Sequence, residues 1–443
     1  MQPDKITFDP AKDIKDSISE ITKVEKEWEE ISSEDILKVL GQTIKKDDFN
    51  KLLVFLCQLL AYSESSQINL SFNAPSSSGK SYLALEIADL FPKEDVLKLG
   101  YASPTSFFHT TSEYSKEKNG YVVNLERKIV IFLDMPHSLL LQHLRPLLSH
   151  DEKEILVKIT DKSAKGGIKT KDIFIRGYPA VLFCSANFNL DEQELTRFIL
   201  LSPETNQEKI REAIYERVKK EADREGYIKL LNENPDRQAL KQRIIDIRDS
   251  FVSEIDLGNP EKLLQMFYER NKVLKPRHSR DIQRIASLAK AFALLNLWTR
   301  ERVGDAIKTN EKDLENAFKI WDEISVAQDL GVSPYILNLY KEVIVPVYEE
   351  KDKAGLSRQE IMKKHFEVYG RHIADWQLRQ EIIPMMKTSG LVSEEQDPLD
   401  KRKLLIYPLV QLTTSGAQEI VSRRGEEGAT DAQIEDIFGV KPI

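Results

Sequence analysis

The chain has 443 residues, of which 41% are hydrophobic and 31% charged, with a net charge of −8 and two cysteines. That length predicts two or three domains with their own cores, and the acidic balance excludes a histone-like polycation while leaving local basic patches open. No apolar run approaches the roughly 20 residues needed to span a bilayer, the opening "MQPDKITFDPAKDIKDS" lacks a signal-peptide core, and Cys57 and Cys184 read as buried hydrophobes in a reducing cytoplasm, with no zinc-type Cys/His cluster.

Residues 1–32 are polar and charge-dense, and read as a weakly ordered leader. From 33 to 66 apolar positions recur at helical spacing, with Ser33, Glu34 and Asp35 as a helix start. Between 67 and 206 short apolar runs alternate with helical stretches: "INLSFNA" (68–74), "DVLKLG" (95–100), "KIVIFLDM" (128–135) and "YPAVLFCSAN" (178–187). Buried strands separated by helices predict a parallel sheet and hence an α/β nucleotide-binding core. Residues 207–330 are helical almost throughout, with amphipathic spacing in "PDRQALKQRIIDIRDSF" and "HSRDIQRIASLAKAFALLNLW". Over 334–412, two or three helices precede a basic hairpin, the outline of a winged helix-turn-helix. The tail 413–443 is expected to be mobile.

"NAPSSSGKSYLALEIADLF" carries the chemistry. A phosphate-binding loop needs backbone N–H groups facing the phosphates, a lysine for the β and γ oxygens, and a hydroxyl for magnesium. Gly79, Lys80 and Ser81 supply these at the start of a helix, whose positive end favours an anion. Ala74 replaces the first glycine, a substitution that holds if its φ stays negative. Pro75, Ser76, Ser77 and Ser78 keep the loop small and polar, and Tyr82 follows in the first helical turn. The expected ligand is ATP with Mg2+. Asp134, ending "KIVIFLD", stands where a carboxylate would hold that metal. Most ATPases of this kind place Glu next, whereas Met135 follows here.

Three further pieces complete a set: "AVLFCSAN" ending in Asn187, "LTRFILLSPE" with Arg197, and "KPRHSRDIQRIASLAKAFALLN…DLENAFKI" with Arg280 opening a helix. Their order resembles the AAA+ ATPases, and more narrowly the minichromosome-maintenance helicase group. "TRF" is similar to that group's "SRF", "AKGGI" to its pre-sensor "AKAGI", and "APSSSGKS" to the "GPSSAGKS" loops of mobile-element relatives. The resemblance covers about residues 35–328. It implies an AAA+ P-loop core with a helical lid, to which the outline read over 334–412 adds a C-terminal winged helix-turn-helix domain. In it Lys80 and Ser81 bind phosphate and magnesium, and Asp134 takes the Walker B position. Asn187 is sensor 1, Arg197 a finger reaching into a neighbouring subunit, and Arg280 sensor 2. The group's N-terminal collar has no counterpart before the loop, and Met135 departs from its pattern.

Two segments are candidates for nucleic acid. Between 151 and 178, Lys158, Lys162, Lys165, Lys169 and Lys171 surround a glycine-containing hairpin tip, suited to backbone phosphate in a pore. In the C-terminal region Arg379 lies on a candidate recognition helix, and Lys401, Arg402 and Lys403 on a wing that could equally face protein. The leading expectation is a homohexameric ATPase threading single-stranded or forked DNA, in replication of a mobile element, phage or plasmid. An initiator, primase or polymerase is an expected partner, and a membrane is not. The alternatives are an ATP-switched initiator or helicase loader, and a degenerate ATPase retained as an adaptor.

Overall fold

The computed structural model describes residues 28–100, 112–136, 138–161, 169–185, 197–252, 254–412 and 418–420. Helix α1 (Ser33–Leu40) is set by a reciprocal cap in which Ser32 and Asp35 each accept the other's backbone N–H. The helix begins at Ser33, the expected start, with Ser32 just before it as the cap. Helix α2 (Asp48–Leu59) is buried on nearly every side, because it lies inside the molecule rather than on its surface.

The core is built from β1 (Leu70–Asn73), α3 (Lys80–Ala88), β2 (Val96–Leu99), β3 (Ser112–Ser115), β4 (Gly120–Asn124), β5 (Ile129–Phe132), α4 (Ser138–Leu148), β6 (Glu154–Asp161), β7 (Lys169–Arg176), β8 (Ala180–Ser185) and β9 (Ile199–Leu201). Five of these strands form a parallel sheet in the order β2-β5-β8-β1-β9. Alternate residues of each buried strand serve different cores. Ile129 and Ile131 of β5, with Leu182 and Cys184 of β8, face a cluster shared with α2 and α3. Val130, Phe132, Val181 and Phe183 face the other side, against α4 and a second sheet. There the Phe132 and Phe183 rings stack at 5.0 Å. The second sheet, β3-β4-β7-β6, holds the β6–β7 hairpin paired in register from Glu154↔Arg176 to Asp161↔Lys169.

A helical layer follows: α5 (Gln207–Ala222), α6 (Arg224–Glu233), α7 (Pro235–Ser250), α8 (Pro260–Arg270), α9 (His278–Leu295) and α10 (Glu311–Leu330). Strands β10 (Glu254–Asp256), β11 (Arg302–Val303) and β12 (Ala306–Lys308) form a small sheet within it, unforeseen in a region read as helical. Two or three residues are too few to show a period-two pattern.

The C-terminal region is a separate cluster of buried apolar side chains. It comprises α11 (Pro334–Leu339) running through a π turn into α12 (Val345–Glu350), α13 (Arg358–Tyr369), α14 (Asp375–Gln377) running similarly into α15 (Ile383–Thr388), and the antiparallel hairpin β13 (Val392–Gln396) and β14 (Leu404–Pro408). A bridge from Leu356 to Ile406 adds a third chain to the hairpin edge.

Candidate nucleotide site

The loop 74–79 joins the C-terminal end of β1 to α3, flanked on the sheet by β8 and β9. The carboxyl ends of parallel strands are where α/β sheets bind ligands. Ala74 is fully buried and keeps a negative φ, so its methyl group does not oppose the turn. The left-handed positions are Ser77 and Gly79, at φ 62° and 95°. No atom lies within 4 Å of where a Cβ on Gly79 would stand, so glycine is required there for conformation, not for room. No side chain caps the start of α3, which leaves its first N–H groups for an anion. The Ser78 hydroxyl oxygen is buried and has no hydrogen-bond partner, a polar atom suited to a ligand.

Lys80 is buried, and its Nζ donates to the carbonyls of Ala74 at 2.6 Å and Pro75 at 2.7 Å. Burial pushes its pKa down to about 8, with Arg371 pressing in the same direction and Asp134 opposing it. Both charges therefore act on the Lys80 ammonium. Asp134 is exposed beyond the end of β5, and its Oδ1 accepts the Met135 N–H at 2.8 Å. Met135 packs against the apolar cluster behind the sheet, where no polar role is open to it. The Ser81 hydroxyl bonds the Cys184 thiol, which burial pushes up to about 11.

A cleft of 780 Å³ opens from the loop, within the range of small-molecule sites. One wall is residues 43–47, a second is α5, and a third is the C-terminal region through Tyr335, His365, Tyr369 and Arg371. Tyr82 ties α3 to the first wall by donating to the Thr43 carbonyl at 2.8 Å. Asp47, buried and left-handed at φ 64°, ties that wall to the second. It accepts from the Glu204 N–H at 3.1 Å and pairs with Lys209.

Pro75, Ser77, Ser78, Gly79 and Tyr82 thus line the cleft, with Lys80 and Asp134 close enough to interact. Arg197 and Arg280 stand elsewhere. Arg197 precedes β9 at the opposite end of the sheet, where its Nε donates to Ser149 Oγ at 2.7 Å. Arg280 is exposed on the first turn of α9, outside the cleft lining. Asn187, Lys162, Lys165 and the Lys169 side chain lie outside the described residues. Lys158 is paired with Asp172 at 2.7 Å, and Lys171 lies over the Tyr121 ring at 5.3 Å. Arg379, Lys401, Arg402 and Lys403 are exposed on the C-terminal region, Lys403 within 3.7 Å of Asp400. The walls at 43–47, Glu204 and Arg371 carry no sequence signal: Arg371 meets the loop from 295 residues away.

The three groups of another metal-type cluster, His278, Asp281 and Asp329, lie beside Arg277 and Lys275, which pair with both carboxylates. No helix among the described residues is long and apolar enough to cross a membrane. No match was found among curated proteins. A family model described as the MTBMA_p00010 P-loop domain matches residues 22–245, which takes in α1, α2, the parallel sheet and the phosphate loop. The chain is a nucleotide-binding α/β P-loop protein and belongs to that family.

Proposed function

We propose that the protein is an AAA+ ATPase of the minichromosome-maintenance-like kind, coupling ATP hydrolysis to translocation on or unwinding of DNA as a hexameric ring. One observation carries the reading. β8 stands between the phosphate-loop strand β1 and the acidic strand β5, and the β6–β7 hairpin is inserted between α4 and β8. On this reading Asn187, two residues past the end of β8, is the proposed sensor between loop and carboxylate, and the hairpin that precedes β8 in the chain is the proposed DNA-contacting insert. The lysines of its tip, Lys162, Lys165 and Lys169, are the proposed DNA contacts. Lys158 contributes less, because Asp172 already neutralises it.

In the proposed cycle Lys80 leaves the loop carbonyls for the β and γ oxygens, and Ser78 and the N–H groups of α3 close on the phosphates. Ser81 and Asp134 offer a hydroxyl and a carboxylate, the oxygen donors Mg2+ prefers, and would hold it. Bound there, Mg2+ neutralises charge on the phosphate oxygens. Phosphoryl transfer depends chiefly on positioning and charge neutralisation. Asn187 would orient the attacking water. Arg197 is proposed to act in trans, a reading supported by its place at the N-terminal end of β9, the end of the sheet opposite the phosphate loop. Arg280, exposed, is likewise proposed to act across a subunit boundary. The helical layer is the proposed lid, and the C-terminal helices with their hairpin the proposed winged helix, with Arg379, Lys401, Arg402 and Lys403 outward.

The second reading, an ATP-switched initiator or loader, is favoured by Met135, an apolar side chain half-buried against the core where a water-polarising glutamate is usual. Forked-duplex displacement separates the two. The motor requires ATP turnover that rises with single-stranded DNA and is lost in Lys80→Ala and Arg197→Ala. ATP binding without strand displacement at any DNA structure or concentration would sink the helicase and leave the loader.

A further inference from the structure

Arg371, in the turn that ends α13, donates through Nη1 to the main-chain carbonyl of Ser76 at the crest of the phosphate loop. Among the described residues its guanidinium makes no other hydrogen bond or ion pair. It lies on the same loop as Lys80 and repels it. Two cations beside one glycine-serine loop, with only neutral carbonyls as acceptors, form a site that an anion relieves. Phosphate oxygens are the better acceptors, because a charge-assisted bond is roughly twice as strong as one to a neutral carbonyl.

The turn is anchored by a chain of hydrogen bonds that returns to the loop's own strand. The Arg371 carbonyl can only accept, so His365 Nδ1 carries the proton of their 2.9 Å contact. Nε2 then accepts from the Tyr335 hydroxyl at 2.7 Å, and burial keeps the ring neutral by lowering its pKa. The Tyr335 N–H donates to Ser202 Oγ at 3.0 Å, and that hydroxyl donates to the Asn73 carbonyl at 2.7 Å. Asn73 is the last residue of β1 before the loop. Both ends of the chain therefore lie on the phosphate loop, and every link between Ser202 and Arg371 belongs to the C-terminal region.

We infer that Arg371 is a phosphate ligand supplied in cis by the C-terminal region, oriented by the Tyr335–His365 pair, so that the phosphates on the bound nucleotide set how firmly that region is docked. This rests on the loop binding nucleotide, as proposed above. A monophosphate leaves Arg371 on Ser76; a triphosphate draws it onto phosphate oxygen and tightens the whole chain.

The test is calorimetric titration of the full chain with AMP, ADP and a non-hydrolysable ATP analogue, with limited proteolysis of the C-terminal region alongside. Arg371→Ala is expected to weaken the triphosphate analogue about tenfold or more, to leave AMP unchanged, and to abolish triphosphate protection of the C-terminal region from protease. Arg371→Lys should recover part of the affinity. Tyr335→Phe, which frees the His365 ring while keeping the guanidinium, should reduce triphosphate affinity less than Arg371→Ala. Unchanged triphosphate affinity in a normally melting Arg371→Ala protein overturns the assignment. Equal loss for AMP and triphosphate overturns it too, since Arg371 is then a strut of the fold. Lys80→Ala reports on the loop itself: nucleotide binding left intact in Lys80→Ala overturns the loop reading and the Arg371 assignment with it, whereas binding lost in Lys80→Ala but untouched in Arg371→Ala overturns the Arg371 assignment alone.

Discussion

Lys80 Nζ donates to the Ala74 carbonyl at 2.6 Å, a lysine folded back onto the residue that opens its own loop. Buried there, it has a pKa pushed down to about 8. A phosphate arriving beside it raises that value, so binding takes up a proton at any pH between about 8 and the bound value. Affinity for ATP is therefore full below pH 8 and declines above it, by at most about tenfold per pH unit for one linked proton. Titration from pH 7 to 9.5 should show this decline in the native chain. It should vanish in Lys80→Ala, whose binding is weak and flat with pH. A decline of equal slope in both would place the titrating group elsewhere.

Ala74 and Gly79 make opposite predictions within the same loop. Ala74 already holds a negative φ, so Ala74→Gly restores no needed freedom and only enlarges the unfolded ensemble. It is expected to cost about 1 kcal/mol of stability and to leave nucleotide affinity unchanged. Gly79 sits at φ 95°, where a side chain is strained although there is open space around it. Gly79→Ala should cost about 1–2 kcal/mol and weaken ATP binding as well, because the strain falls on the residue preceding Lys80. Thermal melts with parallel titrations check both. A gain in affinity for Ala74→Gly would mean the alanine does constrain the loop.

The parallel sheet was legible because its strands are short, largely apolar runs bounded by polar loops. Ile129–Phe132 and Ala180–Ser185 fall inside the predicted segments, and their alternate residues feed two cores as a sheet covered on both faces requires. The phosphate loop was legible because its chemistry is local. What escaped was non-local. Asp47 organises two walls of the cleft, yet in the sequence it is one acid among many. Arg371 belongs to the site only because the turn after α13 meets the phosphate loop in space. Around the 151–178 hairpin Lys153, Lys158 and Arg176 pair with Glu64, Asp172 and Glu126, partners that chain order alone does not reveal.

Asp134 is the exposed acid at the carboxyl end of β5, and its neighbour Met135 is half-buried against the apolar core. If hydrolysis runs through this strand, Asp134 is its carboxylate. Asp134→Asn preserves size and the acceptor for the Met135 N–H while removing the charge. The expected result is loss of ATP turnover by about a hundredfold or more, with ATP affinity changed only a few-fold. Met135→Glu forces a charge against apolar neighbours and should lower the melting temperature without rescuing that variant. Turnover persisting in Asp134→Asn would move the catalytic acid to another element.

Arg300 and Asp313 form a buried two-point ion pair at the start of α10, with side chains only 2% and 1% exposed. Arg300 Nε and Nη2 each lie 2.8 Å from a different Asp313 oxygen, and Glu30 approaches the same guanidinium at 3.1 Å. Asp313 also closes the reciprocal cap of α10 with Asn310. Removing one partner strands the other charge out of water, which costs about 3–5 kcal/mol. Asp313→Ala should cost more than Arg300→Met, because it leaves a buried cation and opens the cap as well. Arg300→Met replaces the guanidinium with apolar bulk but leaves the Asp313 carboxylate the Asn310 N–H it accepts at the cap. The double variant Arg300→Met, Asp313→Ala should be less destabilised than the sum of the two singles, since neither charge is then left unpaired. Denaturant melts of all four proteins measure this. Strict additivity would mean the pair contributes nothing beyond its separate contacts.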